Sequence, residues 1–345
     1  MSTKGIYIYG IVPSFYSTDM FRSLENTGVY PITFQNISAI VSESNSSQLD
    51  SLDRESLGRL LVHHQQTIET LQSKEFAMFI PMRLGTIVKT KEEVIRILQN
   101  GHDLIVDTLK KIEYLTEIDL VVTWADFSKV LKDVTESPDI IETKRQMMES
   151  GIPPTQSDQL KIGMMIKEKI VSKNQEVESS ILSAFSTICQ EIKKHEVMND
   201  QMITNSAILI KRSDNKEFEA IIDQLDEEFQ GLLNFKLIGP LPCYSFYTIE
   251  IKELNPENVE QAKIEFALKD ETMESDIKKA YLEKAKLFHP DTLHENGNEE
   301  NFNRINKAYH TLLDYSEAVR KSSKSGFIPL QKERVIENLI LVKIK

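Results

Sequence analysis

Residues 277–313 read IKKAYLEKAKLFHPDTLHENGNEENFNRINKAYHTLL, the pattern of two amphipathic helices joined by a polar turn. Ile277, Ala280, Tyr281, Ala285 and Phe288 recur at helical spacing, while Lys278, Lys279, Glu283 and Lys286 fall mostly on the other side. Pro290 stops that first helix, because it has no N–H to donate and steers His289 out of the helical region. Beyond the polar stretch 294–301, Phe302, Ile305, Tyr309 and Leu312 define a second apolar stripe. Two facing stripes and a tight connection predict an antiparallel helical hairpin.

Strand signals flank this hairpin. Upstream, 203–210 reads as a strand, 215–233 as a helix, 235–238 as a short strand, and 244–251 as another strand after the turn Gly239-Pro240-Leu241-Pro242. Downstream, NLILVKIK over 338–345 is a further strand, reached through the polar return 321–334. The order β-α-β-β-helices-β predicts a ferredoxin-like C-terminal domain, 201–252 with 337–345, and makes 253–336 a helical insert tethered at both ends. Before it, 126–200 reads as a helical connector. Gly151-Ile152-Pro153-Pro154 breaks that connector, and a long helix is expected from about Thr155.

The first 125 residues read as an α/β sandwich. GIYIYGIV, 5–12, is continuously apolar, as a strand covered on both faces would be. The run 32–42 bends or turns at Gln35 and Asn36. A helix over 52–73 carries Leu57, Leu60, Leu61, Ile68 and Leu71 as its core face, and a second helix is expected over 91–115. Between them 76–88 is a strand made irregular by Pro81, and 117–124 is another strand. The fold class is therefore α+β.

The chain of 345 residues is 40% hydrophobic and 27% charged, with a formal net charge of -12. Such a balance leaves no excess of cations to neutralise phosphates, so nucleic acid is not an expected partner. No run approaches the length of a membrane span, and the start has neither the charge nor the apolar run of a signal peptide. Cys189 and Cys243 fit no metal or disulfide spacing and read as thiols of a reducing cytoplasm. His63 and His64 point about 100° apart on a helix and do not form a metal-binding pair, so a packed or interfacial helix face is the expectation. Arg83 reads as a structural arginine bonding carbonyls or a carboxylate. No nucleophile and base arrangement and no phosphate loop is present, so no enzyme, cofactor or metal is expected.

Two family resemblances follow from the motifs. The helix IKKAYLEKAKLF, the tripeptide His289-Pro290-Asp291 and the helix FNRINKAYHTLLD together resemble the J-domain of DnaJ-type co-chaperones. That resemblance implies docking on a DnaK-type chaperone through His289, Pro290 and Asp291, with Lys278, Lys279 and Lys286 flanking. Segment 256–268 is the candidate first helix, although it lacks the family's usual aromatic-Leu-Gly start. Elsewhere YIYGIV, HHQQTIE, IPMRLGTIV and IGPLPCYSF stand in the order of four motifs of the F/L family of gas vesicle proteins, from the N-terminus to about residue 250. Leu241 replaces that family's Trp and Cys243 its second Pro. The motif positions are Tyr7, Tyr9, Gly10, Pro81, Arg83, Gly85 and Thr86, then Gly239, Pro240, Pro242, Tyr244, Ser245 and Phe246. This resemblance implies an accessory protein of gas vesicle assembly, located in the cytoplasm or at the vesicle, with the major shell protein and other accessory proteins as partners. The alternative is a J-domain co-chaperone that brings a DnaK-type ATPase to a bound client. The two are compatible, and the J-like helices also admit a purely structural role.

Overall fold

The computed structural model describes residues 4–16, 28–44, 53–73, 78–149, 155–288, 299–322, 326–331, 335 and 340–344. The chain divides into two compact units, 1–110 with 247–345, and 111–246. Among the described residues no helix is long and apolar enough to cross a membrane.

In the first unit β1 (Gly5–Pro13) is buried along its whole length, as its unbroken apolar sequence requires. It pairs antiparallel with β3 (Ile37–Ser44), which forms a hairpin with β2 (Val29–Phe34). Gln35, at φ 50, and Asn36 make the two-residue turn between them, the position where the sequence placed the bend. On its other side β1 meets two short strands, β4 (Ile80–Pro81) and β5 (Ile87–Val88), so the expected strand 76–88 is interrupted by the turn Arg83–Thr86, with Pro81 itself paired to Gly10 in β4. Helix α1 (Arg54–Ser73) buries His64, Thr67, Ile68 and Leu71, whereas Leu61 is 40% exposed and so is not part of the core face expected of it. Helix α2 (Lys91–Ile112) buries Val94, Ile97, Leu98, Ile105 and Leu109.

The second unit is organised on β6 (Leu115–Trp124), followed by α3 (Phe127–Thr135), α4 (Pro138–Glu149) and α5 (Gln156–Ala184). Thr155 and Asp158 form a capping box that starts α5, while Gly151, Ile152, Pro153 and Pro154, where a break was expected, lie outside the described residues. Then come β7 (Cys189–Lys194), β8 (Met202–Lys211), α6 (Asn215–Glu228) and β9 (Leu233–Leu241), and the sheet order is β7-β8-β6-β9 with every pair antiparallel. The β-α-β-β-α-β run expected of 201–252 with 337–345 is therefore assembled from residues 115–241 instead. β6 was expected in the first domain and β7 in the helical connector. β7 escapes pattern reading because its CQEIKK sequence is an exposed edge of helix-favouring polar residues. Stacked Phe185 and Phe218 lie in the core beneath this sheet, and the single tryptophan, Trp124, donates its indole N–H to Asn174 Oδ1 at 2.8 Å.

Residues 247–345 return to the first unit. β10 (Ile249–Glu253) pairs with β13 (Ile340–Ile344), so the closing strand joins this ribbon and not the sheet of the second unit. Between them lie α7 (Pro256–Glu265), β11 (Glu271–Thr272), α8 (Glu274–Phe288), α9 (Glu299–Ser322) and β12 (Ile328–Pro329). Pairing of β11 with β12 gives part of the expected return loop a strand character. The insert core gathers Val259, Phe266, Ile277, Ile305, Leu312 and Tyr315, together with Leu341 from β13. The ribbon also touches the rest of the unit. Arg83 N–H donates to Ile249 O, Asn100 Nδ2 donates to Ile340 O, and Gly101 lies where a Cβ would meet Val342 at 2.8 Å.

Candidate functional site

The motif residues fall in three places. In the first unit, Tyr7 and Tyr9 share one face of β1 because they are two residues apart, with ring centroids 4.8 Å from each other. Above them, the 100° between neighbouring helical positions gives each tyrosine its own histidine. Tyr7 Oη is 2.9 Å from His64 Nδ1, and Tyr9 Oη is 2.6 Å from His63 Nδ1 and 3.0 Å from Ser42 Oγ. Gly85 N–H also donates to Tyr7 Oη at 3.2 Å, so this one hydroxyl ties the glycine and the histidine together. Burial lowers the His64 pKa to about 4, reinforced by neighbouring His63, and burial raises that of Tyr7 to about 12. The four rings form a hydrogen-bonded weld between strand and helix.

That weld holds a turn. Thr86 returns both its N–H, at 3.1 Å, and its hydroxyl, at 2.6 Å, to Arg83 O, and Ile8 N–H donates to Thr86 O. Gly85 sits at φ 84, where a side chain is disfavoured. Gly10 lets the strand before the turn pass, since a Cβ there would lie 2.3 Å from the Phe79 ring and 2.5 Å from Ile80 O. Met82 N–H donates to Tyr9 O as the chain leaves Pro81. At the tip Leu84 is 46% exposed, and the Arg83 side chain is exposed with its guanidinium 3.7 Å from Glu250.

In the second unit, the 239–246 segment wraps a buried carboxylate. Glu117, 1% exposed on β6, accepts Ser245 N–H and Ser245 Oγ–H, both at 2.8 Å. Lys193 Nζ donates to Ser245 O at 2.6 Å, and His195 Nε2 lies 3.2 Å from Ser245 Oγ. Burial outweighs the two Ser245 hydrogen bonds and pushes the Glu117 pKa up to about 7; burial also raises that of Asp119, two residues along the same strand. Gly239 allows close passage, as a Cβ would lie 3.2 Å from Glu117 O; the peptide to Pro240 is cis. Pro242 O accepts Tyr244 N–H, while Cys243 and Phe246 are buried and burial raises the Cys243 thiol pKa to about 12. Glu117 escaped the sequence reading. Its signal is the pair of acids at alternate positions, Glu117 and Asp119, inside an otherwise apolar strand.

In the insert, α8 and α9 form the predicted hairpin, with the Tyr281 and Tyr309 rings stacked 4.0 Å apart and Tyr281 donating to Asn306 at 2.9 Å. Segment 256–268 supplies α7, which packs against α9 through Val259 and Ala262. Lys278, Lys279 and Lys286 lie exposed on α8, around Leu282, which is 48% exposed and was not foreseen. His289, Pro290 and Asp291 fall outside the described residues. Among the described residues no group of three or more His, Cys, Asp or Glu side chains is placed to hold a metal ion.

Against known families, the profile of gas vesicle synthesis protein GvpL/GvpF matches residues 5–248. The chain belongs to that family. A DnaJ domain profile matches residues 266–320. Gas vesicle protein F of Nostoc sp. (strain PCC 7120) is 22% identical over 72% of this chain and 99% of its own, and that of Dolichospermum flosaquae 23% over 71% and 98%. The crystal structure of the gas vesicle protein GvpF from Anabaena sp. PCC7120 aligns with TM-score 0.57 and 21% identity over 70% of this chain and 97% of that one, which shows the shared fold. Chaperone protein DnaJ of Limosilactobacillus reuteri is 56% identical over 41 residues, 12% of this chain and 11% of its own. This GvpL/GvpF family member thus joins a DnaJ domain to a nearly complete family unit.

Proposed function

We propose that this protein acts in gas vesicle assembly, binding the major shell protein and helping its delivery or nucleation into the growing shell. The observation that carries the reading is the family match over residues 5–248, which contains all thirteen motif positions named above. Within it, the contact is assigned to the turn after Pro81. A tyrosine, a histidine, two glycines and a threonine are committed to holding four residues whose outward products are Arg83 and Leu84. Rigid display of one cation beside one apolar side chain suits recognition more than packing, because a turn held only for stability has no need of an exposed leucine at its tip.

Co-expression of the tagged protein with the major shell protein tests this reading. Wild type is expected to retain the shell protein, and Leu84→Asp to lose most of it while keeping its unfolding midpoint. Equal retention by both removes the turn as the contact; no retention by wild type, together with normal vesicles in its absence, removes the role. The second reading rests on the DnaJ match: through His289-Pro290-Asp291 and the basic face of α8, the insert recruits a DnaK-type ATPase to the client held by the family unit.

A further inference from the structure

The insert has a second face with its own chemistry. A groove of about 660 Å³ runs between α7 and α9 and ends against Lys284 of α8. On α7 its wall is formed by Asn258, Gln261, Ala262 and Glu265, the i, i+3, i+4, i+7 stripe of one helical face; on α9 it is Arg304, Lys307, Ala308 and Thr311, the same spacing. Two alanines make a low floor between polar rims. Three cations stand against one carboxylate. Glu265 is already engaged, 2.9 Å from Lys284 and 3.3 Å from Arg304, and these cations hold its pKa down. Lys307 has no ion-pair partner among the described residues. At the rim Ile264 is 69% exposed, large and apolar where it touches little.

We infer that this groove is a docking site for an acidic peptide segment of a partner protein, carrying carboxylates for Lys307 and Arg304 and an apolar side chain for Ile264 and the alanine floor. Charge complementarity selects the occupant: in a chain of net charge -12, this surface is locally positive. The groove lies off the helix face that carries Lys278, Lys279 and Lys286. Lys284 is six residues beyond Lys278, so it points about 240° around α8, toward α7 and its partner Glu265. Both faces can therefore be occupied at once. The inference is independent of the shell and ATPase readings, since neither assigns this face.

Fluorescence anisotropy of a fluorescein-labelled peptide of glutamate and leucine, titrated with the full chain at low salt, tests it. Binding is expected to weaken about tenfold with Lys307→Glu and with a peptide carrying glutamine for glutamate, and to be blocked by Ala308→Trp, which fills the floor. Lys279→Glu, on the other face, is expected to bind as wild type. Absence of binding by wild type overturns the inference. So does equal weakening by Lys279→Glu and Lys307→Glu, which would mark diffuse charge attraction, and so does full binding by Lys307→Glu. Unfolding midpoints distinguish a blocked groove from a misfolded Ala308→Trp, and the exposed Lys307→Glu decides the matter alone.

Discussion

Tyr7 shows how one hydroxyl carries a turn. It accepts from Gly85 and is hydrogen-bonded to His64, so Tyr7→Phe leaves a buried imidazole nitrogen and a half-buried N–H without their partner. The expected cost is about 1–3 kcal/mol, read from urea unfolding, and the loosened Arg83–Leu84 tip is expected to retain less shell protein than wild type. Glu117 makes the complementary case for charge. Its pKa rises from 4.5 to about 7 on folding, so the folded chain binds the proton more tightly than the unfolded one. Stability is therefore expected to fall as the pH rises from 4.5 toward about 7, and to level off above that. Glu117→Gln should remove most of this slope, Asp119 keeping a part with the same sign. Fluorescence of Trp124, in the core of the same unit, follows the unfolding at about pH 5 and about pH 8. A slope of opposite sign would mean that the Ser245 bonds outweigh burial.

Among the elements, β13 is the one with two allegiances. Leu341 is fully buried in the insert core, while Asn100 and Gly101 of α2 meet Ile340 and Val342. Alternation along a strand explains it: neighbouring side chains point to opposite faces, so one strand serves two cores. Leu341→Ala is expected to cost about 2–5 kcal/mol, and hydrogen exchange should show α8 and α9 opening first. An ion cluster on one buried carboxylate fixes the same joint, with the solvent-reaching Lys252 of β10 and Lys343 of β13 both on Asp314 of α9. These two cations hold the Asp314 pKa down against its burial. Periodicity made most helices legible, α2, α5, α8 and α9 among them, because a stripe every three or four residues is a local signal. Strand partnership was not legible. β13 reads as a strand, yet nothing within NLILVKIK says whether it joins β8 or β10, and β6 looks alike at the edge of either unit. Of the site, the glycines and tyrosines were visible as motifs, whereas Glu117 takes its meaning from Ser245, far away in sequence.

At the scale of the molecule, a nearly complete family unit and a DnaJ domain share one chain, and the two proposed activities are separable. His289→Gln is expected to abolish stimulation of a DnaK-type ATPase while leaving shell-protein retention intact, and Leu84→Asp to do the reverse. Steady-state ATP hydrolysis with the purified chaperone measures the first. Stimulation by His289→Gln equal to wild type, or none by wild type, would leave α8 and α9 as structure alone. The β10–β13 ribbon has a kinetic side as well. Its strands are separated by the whole insert, a long loop whose closure is slow and entropically costly in an open chain. Helical hairpins have mostly local contacts and collapse quickly. Once α8 and α9 have paired, the free loop is short and the ribbon strands are brought together. Pairing of α8 with α9 is therefore expected to precede pairing of β10 with β13, so that the insert acts as an internal template for the ribbon beside it.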